Sequence, residues 1–198
     1  MKALYKYPQT EFPYQRVLDE NQKRDRSQAE FELADTGVFE ENRYFDVFAH
    51  YAKWTPNDLL IRIVVANRGP DPAPLHLIPT LWFRNTWSWK CDHEGCTPKP
   101  RLSLVDGVVR AEHLTLQPFN FCANPSSSSV TPEWLFTDNE TNKAKLFGTE
   151  PEPGFFKDAF HEHIVRQQTS AVNPDMFGTK CGAHYKLLIP PGLSLIHI

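Results

Sequence analysis

Alternation of hydrophobic and polar positions is clearest in the segment Arg43–Lys53. In an extended chain with a period of two, successive side chains point to opposite faces. One face then carries Phe45, Val47, Ala49 and Tyr51, and the other carries Tyr44, Asp46, Phe48 and His50. The run 59–67 that follows is rich in β-branched residues, and Pro56 begins turn chemistry between the two segments. The pattern predicts an antiparallel β-hairpin.

Shorter hydrophobic runs separated by turn-forming residues continue along the chain. They predict strands at 75–83, 108–116, 133–137, 161–166 and 184–189, with Pro79 marking a bulge or an edge in the first of these. The polar segment 14–30 predicts a short exposed helix or a loop. Segment 141–148 predicts one or two helical turns, with Asp138 or Asn139 as N-cap and Gly148 as the stop. Many short strands with short helices in loops indicate a mainly β fold, an antiparallel sandwich or a barrel.

Composition and charge exclude several classes of partner. The 198 residues carry a formal net charge of −3 with both signs mixed, so no basic stripe is available for a nucleic acid. The sequence has no apolar run of about 18 residues and no secretory signal at its start, which predicts no membrane span and a cytoplasmic location. Without a signal, we expect the four cysteines to be reduced.

Two segments contain residue types that bind metals. Cys91-Asp-His-Glu-Gly-Cys96 could supply three ligands to zinc, but a structural site needs a fourth, and a loop with incidental thiols explains the segment better. His161 and His163 would share one face of the strand predicted at 161–166, a spacing that suits a metal and equally an ordinary exposed face. We therefore predict no metal and no cofactor.

Carboxylate pairs are the groups that glycoside hydrolysis requires, one protonated and one ionised. Asp138, Glu140, Asp158 and Glu162 are available, but the sequence cannot place any two of them across a sugar ring. No catalytic residue is predicted from them.

Aromatic residues concentrate in the segment Leu81–Trp89, where three indoles alternate with polar side chains: Trp82, Trp87, Trp89 and Arg84, Asn85, Thr86. Indole faces stack on sugar C–H groups, and Arg and Asn can bond hydroxyl groups. Tryptophan also anchors interfaces between domains. Sugar contact and interface packing therefore both remain open for this segment.

Several phrases in their order resemble the N-terminal region of bacterial glucosidases similar to glycoside hydrolase family 63, which includes mannosyl-oligosaccharide glucosidase. The phrases are Met1-Lys-Ala-Leu-Tyr-Lys-Tyr-Pro-Gln9, Phe31-Glu-Leu-Ala-Asp-Thr-Gly-Val-Phe39, Arg43-Tyr-Phe-Asp-Val47, Leu75-His-Leu-Ile-Pro-Thr-Leu-Trp-Phe-Arg-Asn-Thr-Trp-Ser-Trp89, Ala171-Val-Asn-Pro174 and Gly178-Thr-Lys180. The resemblance covers nearly the whole chain.

This resemblance implies an inverting, α-glucosidase-like enzyme in two parts, a β-sandwich of the super-sandwich kind and an (α/α)6 toroid that carries the catalytic acids. Residues 1–192 then correspond to part of the N-terminal sandwich, which is incomplete, and 193–198 to a non-native or truncated tail. The implied partners are the toroid of the same chain and an oligosaccharide or glucoside substrate. The resemblance places Arg84, Asn85, Trp87 and Trp89 nearest that substrate, and it assigns no catalytic residue to this segment.

Two other interpretations remain. The chain could be a free-standing carbohydrate-binding β-sandwich without catalysis, or a scaffold domain. A fragment leaves unpaired strand edges and an uncovered apolar face, whereas an autonomous module closes its own sheet.

Overall fold

The structure is a computed structural model that describes residues 1–89, 93 and 96–197, with the side chains of residues 89 and 194–197 outside that description. Its strands are β1 (Lys2–Pro8), β2 (Tyr44–Thr55), β3 (Asp58–Asn67), β4 (Ala73–Leu77), β5 (Thr80–Trp82), β6 (Arg101–Val105), β7 (Val108–His113), β8 (Leu116–Phe121), β9 (Glu133–Thr137), β10 (Phe177–Gly178), β11 (Lys180–Ile189) and β12 (Ser194–His197). Its α-helices are α1 (Tyr14–Gln22), α2 (Lys143–Phe147) and α3 (Ala159–Val165), and short 3-10 turns lie at Leu33–Thr36, Glu40–Asn42, Trp87–Trp89 and Thr169–Ala171.

The chain divides into two compact units, of which the first contains residues 1–75, 125–130 and 186–198. Its sheet has the order β1-β2-β3-β12. Strands β2 and β3 pair in antiparallel register, with Phe45 opposite Asn67 and Val47 opposite Val65, so the predicted hairpin and its two faces are confirmed. Residues 194–197, which we expected to belong to a tail, pair with β3 as β12.

One face of this sheet provides the hydrophobic core of the first unit. Phe45, Ile63 and Val65 are buried there; Phe45 belongs to a face that the alternating pattern predicts, and Ile63 and Val65 lie opposite Ala49 and Val47 of the same face. The fully buried Asn67 closes that face at the end of β3. Its amide nitrogen donates to the carbonyl oxygens of Asp71 and Ile189, both at 2.8 Å.

The buried carboxylate of Asp46 belongs to the opposite face of β2. It accepts hydrogen bonds from Lys6 Nζ at 2.8 Å and Arg68 Nε at 2.7 Å. Burial by itself would raise the pKa of Asp46, but the two charged donors outweigh that effect and hold the pKa below its ordinary value.

The second unit contains residues 76–124 and 131–185. One sheet has the order β10-β6-β7-β8, and β5 and β9 both pair with β11, beside which β4 also lies. Its core is built from the buried side chains of Leu102, Val109, Ala111, Phe136 and Cys181. Burial raises the pKa of the Cys181 thiol to about 12, so this thiol packs as an apolar group and is not a nucleophile at neutral pH.

The mainly β fold with antiparallel sheets and few short helices is confirmed, and it is consistent with an incomplete β-sandwich. Strand β9 matches the predicted 133–137, and the break that Pro79 predicts separates β4 from β5. Helix α2 ends at Gly148 in the left-handed conformation as expected, but its N-cap is Asn142, whose Oδ1 accepts from the Lys145 amide. No helix among the described residues has the length and apolar character that a membrane span requires.

The strand predicted at 161–166 is wrong, because these residues belong to helix α3 and the turn that follows it. The strand prediction rests on a period of two across His161, Glu162 and His163. The apolar side chains that decide the structure lie just before it, since Ala159 and Phe160 are the buried residues of this helix.

Candidate functional site

The loop that follows β5 is fixed by hydrogen bonds to the segment after β9. Asn85 Nδ2 donates to the carbonyl oxygen of Asn139 at 3.0 Å, and Asn139 Nδ2 donates back to the carbonyl oxygen of Phe83 at 2.9 Å. Asn85 Oδ1 also accepts from the backbone N–H and the hydroxyl of Ser88. The Asn85 side chain therefore stabilises the loop from within.

Trp87 is held in the same network. Its half-buried indole donates Nε1–H to Glu140 Oε1 at 2.8 Å. Lys99 Nζ lies 2.8 Å from that oxygen, 2.7 Å from Asp138 Oδ2 and 5.6 Å from the centre of the Trp87 ring. The loop thus presents an indole beside a lysine that binds two carboxylates.

This arrangement keeps Glu140 ionised. Burial alone would raise the pKa of Glu140, but hydrogen bonds from Lys99 and Trp87 more than offset it and lower the pKa below its ordinary value. Burial likewise opposes the charge on Lys99, and the two carboxylates outweigh it and raise the pKa of Lys99. A general acid in glycoside hydrolysis needs the opposite shift, a raised carboxyl pKa, so Glu140 is unsuited to that role.

The other candidate carboxylates form a similar group around Lys145. Lys145 Nζ lies 3.0 Å from Asp158 Oδ2 and 2.6 Å from Glu162 Oε1, and Arg166 adds a contact to Glu162 at 3.1 Å. The hydrogen bond from Lys145 is the main reason that the pKa of Glu162 is lowered. The structure therefore brings the four carboxylates together as two pairs, each bridged by one lysine.

Arg84 occupies a different position from Asn85 and Trp87. It is exposed and lines a cleft of about 360 Å³, together with Phe83, Thr86 and His113. Trp82 is exposed on the preceding strand. The backbone of Trp89 lies in the 3-10 turn Trp87–Trp89, and its side chain lies outside the described part of the chain.

The cysteine segment does not match the zinc interpretation that we weighed. Cys91 lies outside the described residues, and His93 is exposed. Cys96 is buried and belongs to a disulfide, so the expectation that all four cysteines are reduced is wrong for this residue. A disulfide sulfur is not available as a thiolate ligand.

A group of metal-ligand residues that sequence reasoning missed lies elsewhere in the second unit. One ligand atom each from Glu133, His163 and His184 lies within 4.8 Å of the other two. His161, which we paired with His163, is exposed, because residues two apart on a helix face different directions. Only His163 of the predicted pair joins the group, since its partners come from β9 and β11.

Comparison with curated proteins gives one relative. The chain is 36% identical over 223 aligned residues to the uncharacterized protein YMR196W of Saccharomyces cerevisiae. The alignment covers 97% of this chain and 20% of the yeast protein, so the chain spans about a fifth of the length of the relative that it matches. No family model matches the chain, and no solved structure matches it.

Proposed function

We propose that this chain is the β-domain region of a larger, inverting, α-glucosidase-like glycoside hydrolase whose acid and base lie on an (α/α)6 toroid in another part of the full-length protein. The resemblance to family 63 enzymes motivates this proposal. The observation that carries it is an uncovered apolar surface on the sheet of the first unit. The much greater length of the yeast relative is compatible with it.

The uncovered surface belongs to the same sheet face as the buried Phe45 and Val65. On that face Tyr5, opposite Val47, is 55% exposed, and Tyr51 and Leu59 towards the far end are 40% and 65% exposed. We call these three residues the apolar stripe. Side chains of this kind on a sheet face contribute about 25 cal/mol for each Å² of apolar surface that is buried, so a partner surface gains stability by covering them. A neighbouring domain of the same protein is the partner that the proposal assigns.

The state of the carboxylates also supports placing the chemistry elsewhere. Lys99 forms ion pairs with Asp138 and Glu140, and Lys145 forms ion pairs with Asp158 and Glu162. An inverting pair requires one carboxyl group that holds its proton near neutral pH. The lowered pKa values of Glu140 and Glu162 argue against that role for either residue.

Within this proposal, the loop that carries Arg84, Asn85, Trp87 and Trp89 contributes to the mouth of the substrate pocket. The network through Asn139 and Glu140 fixes the backbone and the indole of Trp87, and Arg84 stays exposed beside the cleft. A rigid loop with an exposed cation and an aromatic ring can orient a sugar without taking part in bond cleavage. Arg84 and Trp87 are therefore proposed as substrate-positioning residues.

The test is kinetic and uses the full-length protein that contains this chain. Arg84→Ala and Trp87→Ala are expected to raise KM or lower kcat for an α-glucoside, while the circular dichroism spectrum stays that of the unsubstituted protein. Arg110→Ala is a matched control, because Arg110 is an exposed arginine of the same unit on β7. Kinetics unchanged by both substitutions would refute the role of the loop.

The apolar stripe offers a separate test on the 198-residue chain alone. An uncovered stripe predicts self-association, and Leu59→Lys is expected to reduce it in analytical ultracentrifugation. Lys53→Arg, a conservative change at the cross-strand neighbour of Leu59, should leave it unchanged. A monomeric chain that binds oligosaccharides by itself would favour the free-standing carbohydrate-binding module instead.

A further inference from the structure

Strand pairing in the second unit brings a glutamate and a histidine together. Strands β9 and β11 are antiparallel, and their register places Glu133 opposite His184. Directly opposite residues project to the same face of a sheet. The carboxylate of Glu133 and the ring of His184 therefore lie side by side, with 3.7 Å between Glu133 Oε2 and His184 Nδ1.

Helix α3 adds a third ligand because of where it crosses the sheet. A Cβ atom at Gly182 would lie 3.0 Å from Cε2 of Phe160, so Phe160 packs directly over this glycine. His184 lies two residues beyond Gly182 and shares its face, and His163 lies three residues beyond Phe160 on the same side of the helix. The packing of Phe160 on Gly182 thus directs His163 towards His184 and Glu133.

The separations suit ligands around an ion better than direct hydrogen bonds. His163 Nε2 lies 3.6 Å from Glu133 Oε1, and this distance, like the 3.7 Å to His184, exceeds that of a hydrogen bond. Ligand atoms bound at about 2.1 Å in a tetrahedron lie about 3.4 Å apart. The three ligand atoms lie within 4.8 Å of one another, so small adjustments of these side chains bring them to that geometry.

Burial makes the arrangement costly without a bound partner. The side chains of His163 and His184 are only 9% and 1% exposed. Among the described residues, no hydrogen-bond partner reaches Nδ1 of His163. A buried imidazole nitrogen without a hydrogen-bond partner carries a desolvation penalty, and the free energy of binding a cation through Nε2 of the same ring compensates for it.

A second histidine orients His184. His76 on β4 lies with its Nδ1 2.7 Å from Nε2 of His184, and the two rings stack with 5.0 Å between centroids. At this distance one nitrogen donates to the other. If His184 Nε2–H donates to His76, the lone pair of His184 Nδ1 faces Glu133, which is the tautomer that a metal requires.

We propose that Glu133, His163 and His184 bind a divalent transition-metal ion of the zinc class, with His76 as the residue that orients His184. Two imidazoles and one carboxylate are ligands that zinc accepts, and the 46% exposed Glu133 side leaves room for water as a fourth ligand. The ion would fasten α3 to strands β9 and β11. This site is independent of the proposed glycosidase function.

Zinc binding to the tag-free chain tests the site directly. After chelation and dialysis, titration with ZnCl₂ alone is expected to show one ion per chain, and Co²⁺ is expected to give the intense visible absorption of a four-coordinate site. Zinc should also raise the melting temperature, because it binds the folded state. A folded chain that takes up no stoichiometric zinc overturns the proposal.

Three substitutions test whether zinc binding depends on the residues of this site and not on other histidines of the chain. Glu133→Gln preserves shape at a half-exposed position and should weaken zinc binding more than about 100-fold, and His76→Gln should weaken it about 10–100-fold. His161→Ala is the matched control, because this exposed histidine lies on the same helix. Unchanged affinity in Glu133→Gln, or an equal loss in His161→Ala, contradicts the assignment.

Discussion

Replacement of Asn67 by alanine is expected to destabilise the first unit strongly. Asn67 is fully buried, and its side chain makes four hydrogen bonds. The amide nitrogen donates to the carbonyl oxygens of Asp71 and Ile189. The amide oxygen accepts from the Gly69 N–H at 2.8 Å and from Gln9 Nε2 at 2.6 Å.

The expected magnitude follows from which partners remain buried. The bonds to Ile189 and Gly69 are fully buried, and each partner left unsatisfied costs about 1–3 kcal/mol. The bonds to Asp71 and Gln9 are partly buried, so water can replace Asn67 there and each loss costs about 0.5 kcal/mol. The sum for Asn67→Ala is about 3–7 kcal/mol.

Urea unfolding followed by far-ultraviolet circular dichroism measures this change. Asn57→Ala is the control, because Asn57 lies exposed in the turn between β2 and β3, and it should change the free energy of unfolding by less than about 0.5 kcal/mol. Asn67→Asp should be at least as harmful as Asn67→Ala, since it aims a carboxylate at two carbonyl oxygens. An Asn67→Ala variant as stable as Asn57→Ala would refute the reasoning.

Two further predictions concern backbone packing and pH. Gly178→Ala should lower the free energy of unfolding, measured with urea, by about 3 kcal/mol. The added Cβ would press on the carbonyl oxygen of Thr137 and lie 2.8 Å from its carbonyl carbon. A decrease of less than about 1 kcal/mol would contradict this. The pKa of Asp46 is lower in the folded protein than in the unfolded chain, where it is about 4. Its ion pairs with Lys6 and Arg68 therefore stabilise the fold fully above the unfolded-state pKa. This stabilisation is lost as the pH falls through the folded-state pKa. The difference in unfolding free energy between wild type and Asp46→Asn should therefore be constant above about pH 5 and shrink below about pH 4; a constant difference down to the lowest pH at which both fold would contradict it.

The elements that could be predicted from the sequence are those whose structure depends on residues close together in the chain. The hairpin of β2 and β3 follows from alternation in 43–53, turn chemistry at Pro56 and a β-branched run in 59–67, and β9 follows from a short apolar run between turn residues. Helix α3 was misread because a segment of seven residues gives too few repeats to distinguish a period of two from 3.6. Phe160 packs on Gly182, which is distant in the sequence, so the local pattern does not contain this contact.

The candidate sites show the same limit. Trp87 and Asn85 could be selected from composition, but their anchoring to Glu140 and Asn139 depends on pairing between distant segments. Glu133, His163 and His184 come from two strands and a helix, and no spacing in the sequence relates them. Of these three residues, only His163 was considered as a metal ligand from the sequence, and it was paired with His161, which does not belong to the group.

The stereochemistry of α-glucoside hydrolysis by the full-length protein tests the central claim most directly. Proton magnetic resonance of the first product formed should show the β-anomer of glucose, and the 198-residue chain alone should release no sugar under the same conditions. Release of glucose by the isolated chain, or no hydrolysis by a folded full-length protein across a panel of α-glucosides, would contradict the assignment of this chain as the non-catalytic β-domain.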